Sequence, residues 1–286
     1  MTGAAMPSRV GVIGGGRMGV GIAHAFLLGG ARVTVLERDG EAAARAAAAL
    51  DRAIAASVDR GTTGESADAL RSRRSTAVRP AELAGSGLVV EAVPELLELK
   101  VDLLRRVERE LSEQAWLASN TSSLSIDLLA DGLARPANLC GLHFFNPVPA
   151  SSLVEIVVGT RSDPALIDAA RSWASAMGKT PIVVRNSPGF ASSRLGVAIA
   201  LEAMRMLEEG VASAEDIDQA MVLGYRFPVG PLRLTDLVGL DVRLDIAEHL
   251  EREIGPRFAP PAILARKVQA GELGRKSGQG FFPWSS

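Results

Sequence analysis

The chain has 286 residues, of which 47% are apolar and 22% charged, with a formal net charge of -2. That length holds one large domain or two ordinary ones, with enough apolar material for a core in each. The lack of a basic excess argues against a general nucleic-acid binder, which needs positive charge to displace counterions from phosphates. The single cysteine, Cys140, excludes an intrachain disulfide and fits a reducing compartment. Residues 1–9 lack the order of charge, apolar stretch and small-residue cleavage site of a secretory leader. The apolar residues from Val10 are broken by glycines and Arg17, so no membrane span is expected. We expect a cytoplasmic protein with no membrane partner, no nucleic-acid partner and no metal.

In chain order, Val10-Gly11-Val12-Ile13 reads as a strand opening into Gly14-Gly15-Gly16-Arg17-Met18-Gly19. Residues 20–28 read as a helix with Ile22, Phe26 and Leu27 inward, and Gly29-Gly30 ends it. Residues 31–36 return as a strand ending at Glu37, which completes a βαβ unit. Residues 41–59 read as a long alanine-rich helix, 61–64 as a breaker and 67–73 as the second helix of a hairpin. A buried strand follows at 87–92. An amphipathic helix at 97–111 then carries Leu99, Leu103, Leu104 and Val107 at helical spacing. Residues 116–119, 138–145, 154–158 and 181–184 read as further strands, with a helix at 163–177.

After Asn186-Ser187-Pro188-Gly189 strand patterns vanish and helices dominate, at 192–209, 213–224, 231–253 and 260–270. The boundary falls near Asn186. Residues 1–186 are expected to form an α/β, doubly wound Rossmann-type domain with a helical hairpin insertion. Residues 187–286 are expected to form an all-α C-terminal domain.

A lone GxGxxG is a weak signal, but here a strand precedes it, a helix follows it and an acid ends the next strand. Gly14 permits the tight turn, Gly16 lets backbone approach a pyrophosphate, and Gly19 lets the helix pack on the sheet. The helix start then offers unpaired N–H groups to the phosphates. Met18 is counted with these cofactor residues. The carboxylate of Glu37 can accept both ribose hydroxyls of NAD and repels a 2′-phosphate, while Arg38 beside it pulls the other way. We expect NAD as the cofactor.

Further motifs run along nearly the whole length. They are Glu91-Ala92-Val93 with Glu95 and Lys100, Ser119-Asn120-Thr121-Ser122-Ser123, and His143-Phe144-Phe145-Asn146-Pro147. Leu153-Val154-Glu155, Ser187-Pro188-Gly189-Phe190, Gly230-Pro231 and Gly274-Arg275-Lys276-Ser277-Gly278 follow. On these residues the chain resembles the L-3-hydroxyacyl-CoA dehydrogenase family. The resemblance implies a catalytic His143, its carboxylate partner Glu155 and a substrate-binding Ser122. It also implies that Glu95, Lys100, Asn146 and Lys276 contact NAD, and that the helical C-terminal domain serves substrate binding and dimerisation, giving a homodimer. The chemistry suits these types. A neutral imidazole takes the alcohol proton, a carboxylate steadies the imidazolium, and a hydroxyl holds the oxygen where charge develops. Ser122 and Ser123 can also be read as helix N-caps before Leu124.

The chain departs from the family pattern in three places. Ser193 stands where an asparagine usually contacts substrate. Arg52 and Arg60 stand where lysines usually meet the CoA phosphates, which leaves Arg60 as the phosphate-binding candidate. Ser151-Ser152 replaces a position that is often basic. The leading expectation is an acyl-CoA substrate. An acyl-carrier-protein-linked substrate of glyceryl type, a free hydroxy acid, or an NAD-binding protein without catalysis are the alternatives.

Overall fold

The computed structural model describes residues 5–284, so the start of the segment 1–9, read as lacking a leader pattern, lies outside the described residues. The chain divides into two compact units, Met1–Asn186 and Ser187–Ser286. Among the described residues, no helix is long and apolar enough to cross a membrane.

The first unit begins with β1 (Arg9–Ile13), α1 (Arg17–Leu28) and β2 (Arg32–Leu36), then α2 (Gly40–Asp59), α3 (Ala67–Arg71) and β3 (Arg74–Ala77). Next come β4 (Leu88–Glu91), α4 (Leu97–Glu108), β5 (Trp116–Ser119) and α5 (Ile126–Asp131). It ends with β6 (Leu139–Phe144), β7 (Leu153–Val158), α6 (Pro164–Ala176) and β8 (Thr180–Arg185). The strands form one sheet in the order β3-β2-β1-β4-β5-β6-β7-β8. Neighbours pair in parallel from β3 through β6, β7 runs antiparallel to β6, and β8 is parallel to β7. The central strands are apolar on both faces because helices cover both sides of the sheet, as the near-continuous runs of Val and Leu require. Ile22, Phe26 and Leu27 of α1 are fully buried against them.

Several local expectations change. The polar edge strand β3 was not expected, because Arg74-Ser75-Thr76-Ala77 has no apolar alternation. Leu99 is exposed, and Lys100 instead shares the buried face of α4 with Leu104 and Val107. Neither Ser122 nor Ser123 caps a helix. The short α5 starts later, and its N-cap is Ser125, whose hydroxyl accepts from the Leu128 amide. His24 is buried and shares a 3.0 Å hydrogen bond with Ser57. Burial lowers its pKa, favouring the neutral ring.

The second unit is helical, with α7 (Ser192–Glu208), α8 (Ala214–Gln219), α9 (Pro231–Val238), α10 (Leu240–Ile254) and α11 (Ala262–Gln269). The single helix expected over 231–253 is two, because Gly239 at φ 110° ends one and starts the next. Its core is built on Val197, Leu201, Met204, Leu232, Leu240 and Leu250. Two buried carboxylates brace it. Asp218 accepts from the Leu232 and Arg233 amides at the start of α9. Asp236 accepts from the Phe281 and Phe282 amides and the Trp284 indole, which pins the C-terminal segment.

Candidate functional site

The carboxyl ends of β1, β4, β5 and β6 lie side by side, and parallel α/β sheets bind ligands at such ends. The glycine turn leaves β1 there. Gly14 adopts φ 93°, a left-handed conformation that a side chain would strain. A Cβ on Gly19 would stand 1.8 Å from the Gly14 carbonyl oxygen, so only glycine lets α1 start this close to the turn. A Cβ on Gly16 would meet nothing within 4 Å, so its backbone faces open space at the N-cap of α1. These three observations match a pyrophosphate cradle. Sequence reasoning passed over Gly15: a Cβ there would lie 2.3 Å from that of Ala46 on α2. Met18 packs partly buried against the core on the first turn of α1.

Beyond the turn lies a cleft of about 730 Å³, lined among others by Gly16, Glu37, Val78, Val93, Leu99 and Leu103. The exposed face of α4 therefore forms one wall of it. Glu37 sits at the end of β2, where its Oε1 accepts from the Gly15 amide at 2.6 Å and Oε2 from the Arg38 amide at 3.1 Å. The Arg38 guanidinium turns instead to Asp39 at 3.1 Å. Arg38 thus does not neutralise Glu37 through its side chain, and the negative charge that disfavours a 2′-phosphate stands.

At the end of β4, Glu91 is fully buried and accepts from the Val93 amide, the Ser119 hydroxyl and the Lys100 ammonium, at 2.6, 2.6 and 2.7 Å. Lys100 is 1% exposed and also reaches the Val93 carbonyl and Glu95 Oε2, both at 3.1 Å. The ammonium expected from the resemblance to contact NAD is thus engaged with protein groups. Glu95 in turn gathers the loop after β5. Its Oε1 accepts from the Thr121 hydroxyl, the Ser122 amide at 3.0 Å, and the Ser123 amide and hydroxyl. Burial alone would raise the Glu95 pKa; the charge of Lys100 and these hydrogen bonds outweigh it and hold the carboxyl below its usual range. Ser122 is half-buried on the loop so fixed.

The reversal between β6 and β7 places His143 directly opposite Glu155 in the antiparallel register. Opposite residues of such a pair project from the same face, so twelve residues of chain separation become one contact. Imidazole Nδ1 lies 2.7 Å from Glu155 Oε2, with His143 6% exposed and Glu155 fully buried. The Phe145 ring lies against the imidazole, with centroids 4.4 Å apart. Asn120 ties the neighbouring strand ends together by accepting the Phe144 amide at 2.8 Å. Asn146 is exposed just beyond β6. Cys140, earlier on β6, is fully buried, which pushes its thiol up to about 12 and leaves it unreactive.

The other candidates stand apart from these. Arg60 is exposed at the C-cap of α2. In the helical unit, Ser193 is half-buried in the first turn of α7. Lys276 grips both oxygens of Asp241, at 2.6 and 2.5 Å.

The model for the 3-hydroxyacyl-CoA dehydrogenase NAD-binding domain matches residues 9–187, and that for the C-terminal domain of the same dehydrogenases matches 189–284. A 3-hydroxybutyryl-CoA dehydrogenase from Mycobacterium tuberculosis is 39% identical over 284 residues, covering 96% of this chain and 98% of that one. A probable 3-hydroxybutyryl-CoA dehydrogenase from Deinococcus radiodurans is 36% identical, covering 96% and 100%. The crystal structure of the (S)-3-hydroxybutyryl-CoA dehydrogenase from Ralstonia eutropha superposes with a TM-score of 0.93 at 35% identity, covering 98% and 100%. Matched by both domain models and by relatives of this identity along its length, the chain belongs to the 3-hydroxyacyl-CoA dehydrogenase family.

Proposed function

We propose that this chain is an NAD-dependent oxidoreductase that interconverts 3-hydroxyacyl and 3-ketoacyl thioesters of coenzyme A. The observation that carries the reading is the buried His143–Glu155 pair, 2.7 Å apart, on the adjacent strands β6 and β7 of a sheet whose first strand opens into a dinucleotide-type turn. The printed names of the relatives, which specify CoA thioesters, favour CoA over a carrier protein. The intact pair favours catalysis over binding alone.

When bound, NAD supplies the hydride acceptor, or in its reduced form the hydride donor, for the carbinol carbon. Gly14, Gly16 and Gly19 shape its pyrophosphate cradle, and Glu37 accepts from its adenosine ribose. His143 takes the 3-hydroxyl proton at Nε2 as the alcohol is oxidised, while its Nδ1–H donates to Glu155. That bond selects the tautomer, and the buried carboxylate stabilises the imidazolium that forms. In reduction His143 returns the proton to the oxygen. Ser122 holds the reacting oxygen through its hydroxyl, on a loop that Glu95 fixes by its amide. Lys100 acts through Glu95 and Glu91 as a positioning residue. Asn146 and Lys276 complete the NAD contacts, Met18 backs the turn from the core, Ser193 meets the acyl group and Arg60 takes a CoA phosphate.

The reading includes a cytoplasmic homodimer joined through the helical unit. Leu195, Leu223 and Tyr225 there are 63%, 76% and 75% exposed, which a second copy would cover. The test is absorbance of NADH with acetoacetyl-CoA as oxidant. Turnover by the native chain and its loss in His143→Ala, with NADH binding retained, is the expected result; no turnover with any 3-ketoacyl-CoA would overturn the reading.

A further inference from the structure

The loop between β6 and β7, residues 145–152, joins the strand of His143 to that of Glu155. From Asn146 to Ala150 it is exposed except at Val148, which is 2% exposed and packs into the core. Two groups hold it. The first is Gly21 on α1. A Cβ there would stand 2.8 Å from the Val148 Cβ, so the missing side chain makes the seat for that valine. Gly21 lies about one and a half turns along α1 from Gly16, at the pyrophosphate cradle. The helix that shapes the cradle therefore also seats the loop.

The second group is Lys179. Helix α6 ends at Gly178 with φ 71°, where the Gly178 amide donates to the Ser175 carbonyl and the Lys179 amide to the Ala174 carbonyl, both at 2.9 Å. This pair of bonds is a Schellman termination, and it sets Lys179 at the entry to β8. From there Nζ donates to the Val148 carbonyl at 2.7 Å and the Ser151 carbonyl at 2.6 Å. The Thr180 amide donates to the Ser152 carbonyl at 2.6 Å. The Ala150 and Ser151 amides close the turn on the Pro147 carbonyl, each at 3.0 Å. A lysine ammonium ordinarily stays in water. This one is half-buried, and burial lowers its pKa. It forms no ion pair with a carboxylate of the described residues, so its charge is directed at two backbone oxygens of one loop. Such charge-assisted bonds are roughly twice as strong as neutral ones.

The loop so held carries groups that the proposed reaction uses. Phe145 lies against the His143 ring, and Asn146 is the residue that the proposed function gives to NAD. Asn146 is exposed, so the loop backbone sets where its amide stands. Resting on that dehydrogenase reading, we propose that Lys179 is a positioning residue: it keeps the 146–151 loop seated on α1, so that Asn146 stands at a fixed distance from the dinucleotide turn. Without the ammonium the Val148 and Ser151 carbonyls turn to water, and Val148 is the one buried anchor left from Asn146 to Ala150. Cofactor and proton acceptor must meet the same carbinol carbon, and a misplacement of about 1 Å can cost on the order of 10²-fold in rate.

The experiment uses the full-length chain, native and as Lys179→Met, Lys179→Arg and Gly21→Ala. It reads kcat with acetoacetyl-CoA, NADH affinity by fluorescence titration, and by calorimetry the affinity of ADP-ribose, which lacks the nicotinamide. In Lys179→Met, kcat should fall by about 10–10²-fold and the NADH dissociation constant rise by at least about threefold, while that of ADP-ribose stays within about twofold. The paired donors of arginine can also meet two carbonyls, so Lys179→Arg should recover most of the loss. Gly21→Ala displaces Val148 without touching the lysine, and the exposed loop yields more readily than a helix packed in the core, so the same split is expected there. Native kcat in Lys179→Met overturns the proposal. So does an equal loss of NADH and ADP-ribose affinity in that variant, which would make the lysine a strap for the fold as a whole. Should Lys179→Met fail to fold, native kcat and NADH affinity in Gly21→Ala overturn it instead. A native chain that turns over no 3-ketoacyl-CoA sinks the dehydrogenase reading, and the comparison of NADH with ADP-ribose then decides the role of the loop by itself.

Discussion

Lys100→Met tests whether the site rests on a buried ion pair. The ammonium is 1% exposed and bonds a carboxylate, Glu91, that is fully buried. Methionine matches the stem but removes the charge. It leaves Glu91 with the Val93 amide and the Ser119 hydroxyl as its remaining donors. Breaking a buried pair on one side costs about 3–5 kcal/mol, because the surviving charge is left uncompensated. In a unit of this size 1 kcal/mol moves the melting temperature by about 2–4 °C, so the expected loss is roughly 6–20 °C. Calorimetry with each unit's transition resolved is the assay, with the loss confined to the first unit. Adding Glu91→Gln to Lys100→Met should recover a large part of that loss, since the amide oxygen can accept the Val93 N–H, the amide nitrogen can donate to the Ser119 hydroxyl, and the stranded charge is gone. A single-variant drop below about 3 °C, or a double variant that falls by the sum of the two singles, would refute the coupling.

Four further outcomes are expected. His143→Ala should lower kcat by about 10²–10⁴-fold, with the NADH dissociation constant, read by fluorescence titration, changed less than about twofold; equal losses of both would count against its role as the proton-exchanging group. Glu37→Ala should raise the NAD dissociation constant and narrow the discrimination against NADP, and an unchanged NAD/NADP preference would contradict the ribose contact. Gly19→Ala should cost NAD binding by displacing the turn, because its Cβ would fall 1.8 Å from the Gly14 oxygen; native affinity in that variant would mean α1 can shift without effect. His24, neutral and buried, gives a pH signature. Its folded pKa lies below the ordinary 6.5, so the unfolded chain takes up the proton first. The contribution of neutral His24 is complete above pH 6.5 and shrinks as pH falls through and below that value. His24→Gln should therefore flatten the decline in melting temperature between pH 7 and 5.5, and an identical slope in both proteins would exclude His24 as its source.

The parts of this molecule that were legible in the sequence are those where steric rules leave one solution. The roles expected of Gly14, Gly16 and Gly19 correspond to a left-handed φ, an open face and a 1.8 Å approach, and the first and last of these exclude ordinary side chains. The central strands were legible because burial on both faces demands unbroken apolar runs. The edge strand β3 was not, because an edge needs no apolar alternation. The break at Gly239 was hidden because a single glycine inside an apolar helical pattern is usually tolerated there, and only its φ of 110° reveals a stop.

The harder errors share a cause. On α4 the leucine spacing pointed to Leu99 and Leu103 as core, yet Lys100 holds the buried position and those leucines wall a cleft. Periodicity assumes that apolar side chains seek protein and charged ones seek water. The assumption fails where a buried carboxylate waits beneath the helix and an apolar surface is reserved for a ligand. Glu91, nine residues before Lys100, was part of the quoted pattern, but its pull on the lysine depends on β4 and α4 being adjacent, which spacing alone does not state. Arg243 breaks the same rule on α10, where it shares the buried stripe with Leu240, Ala247 and Leu250. Positions where a charge occupies an apolar stripe are thus the places where sequence periodicity is least reliable.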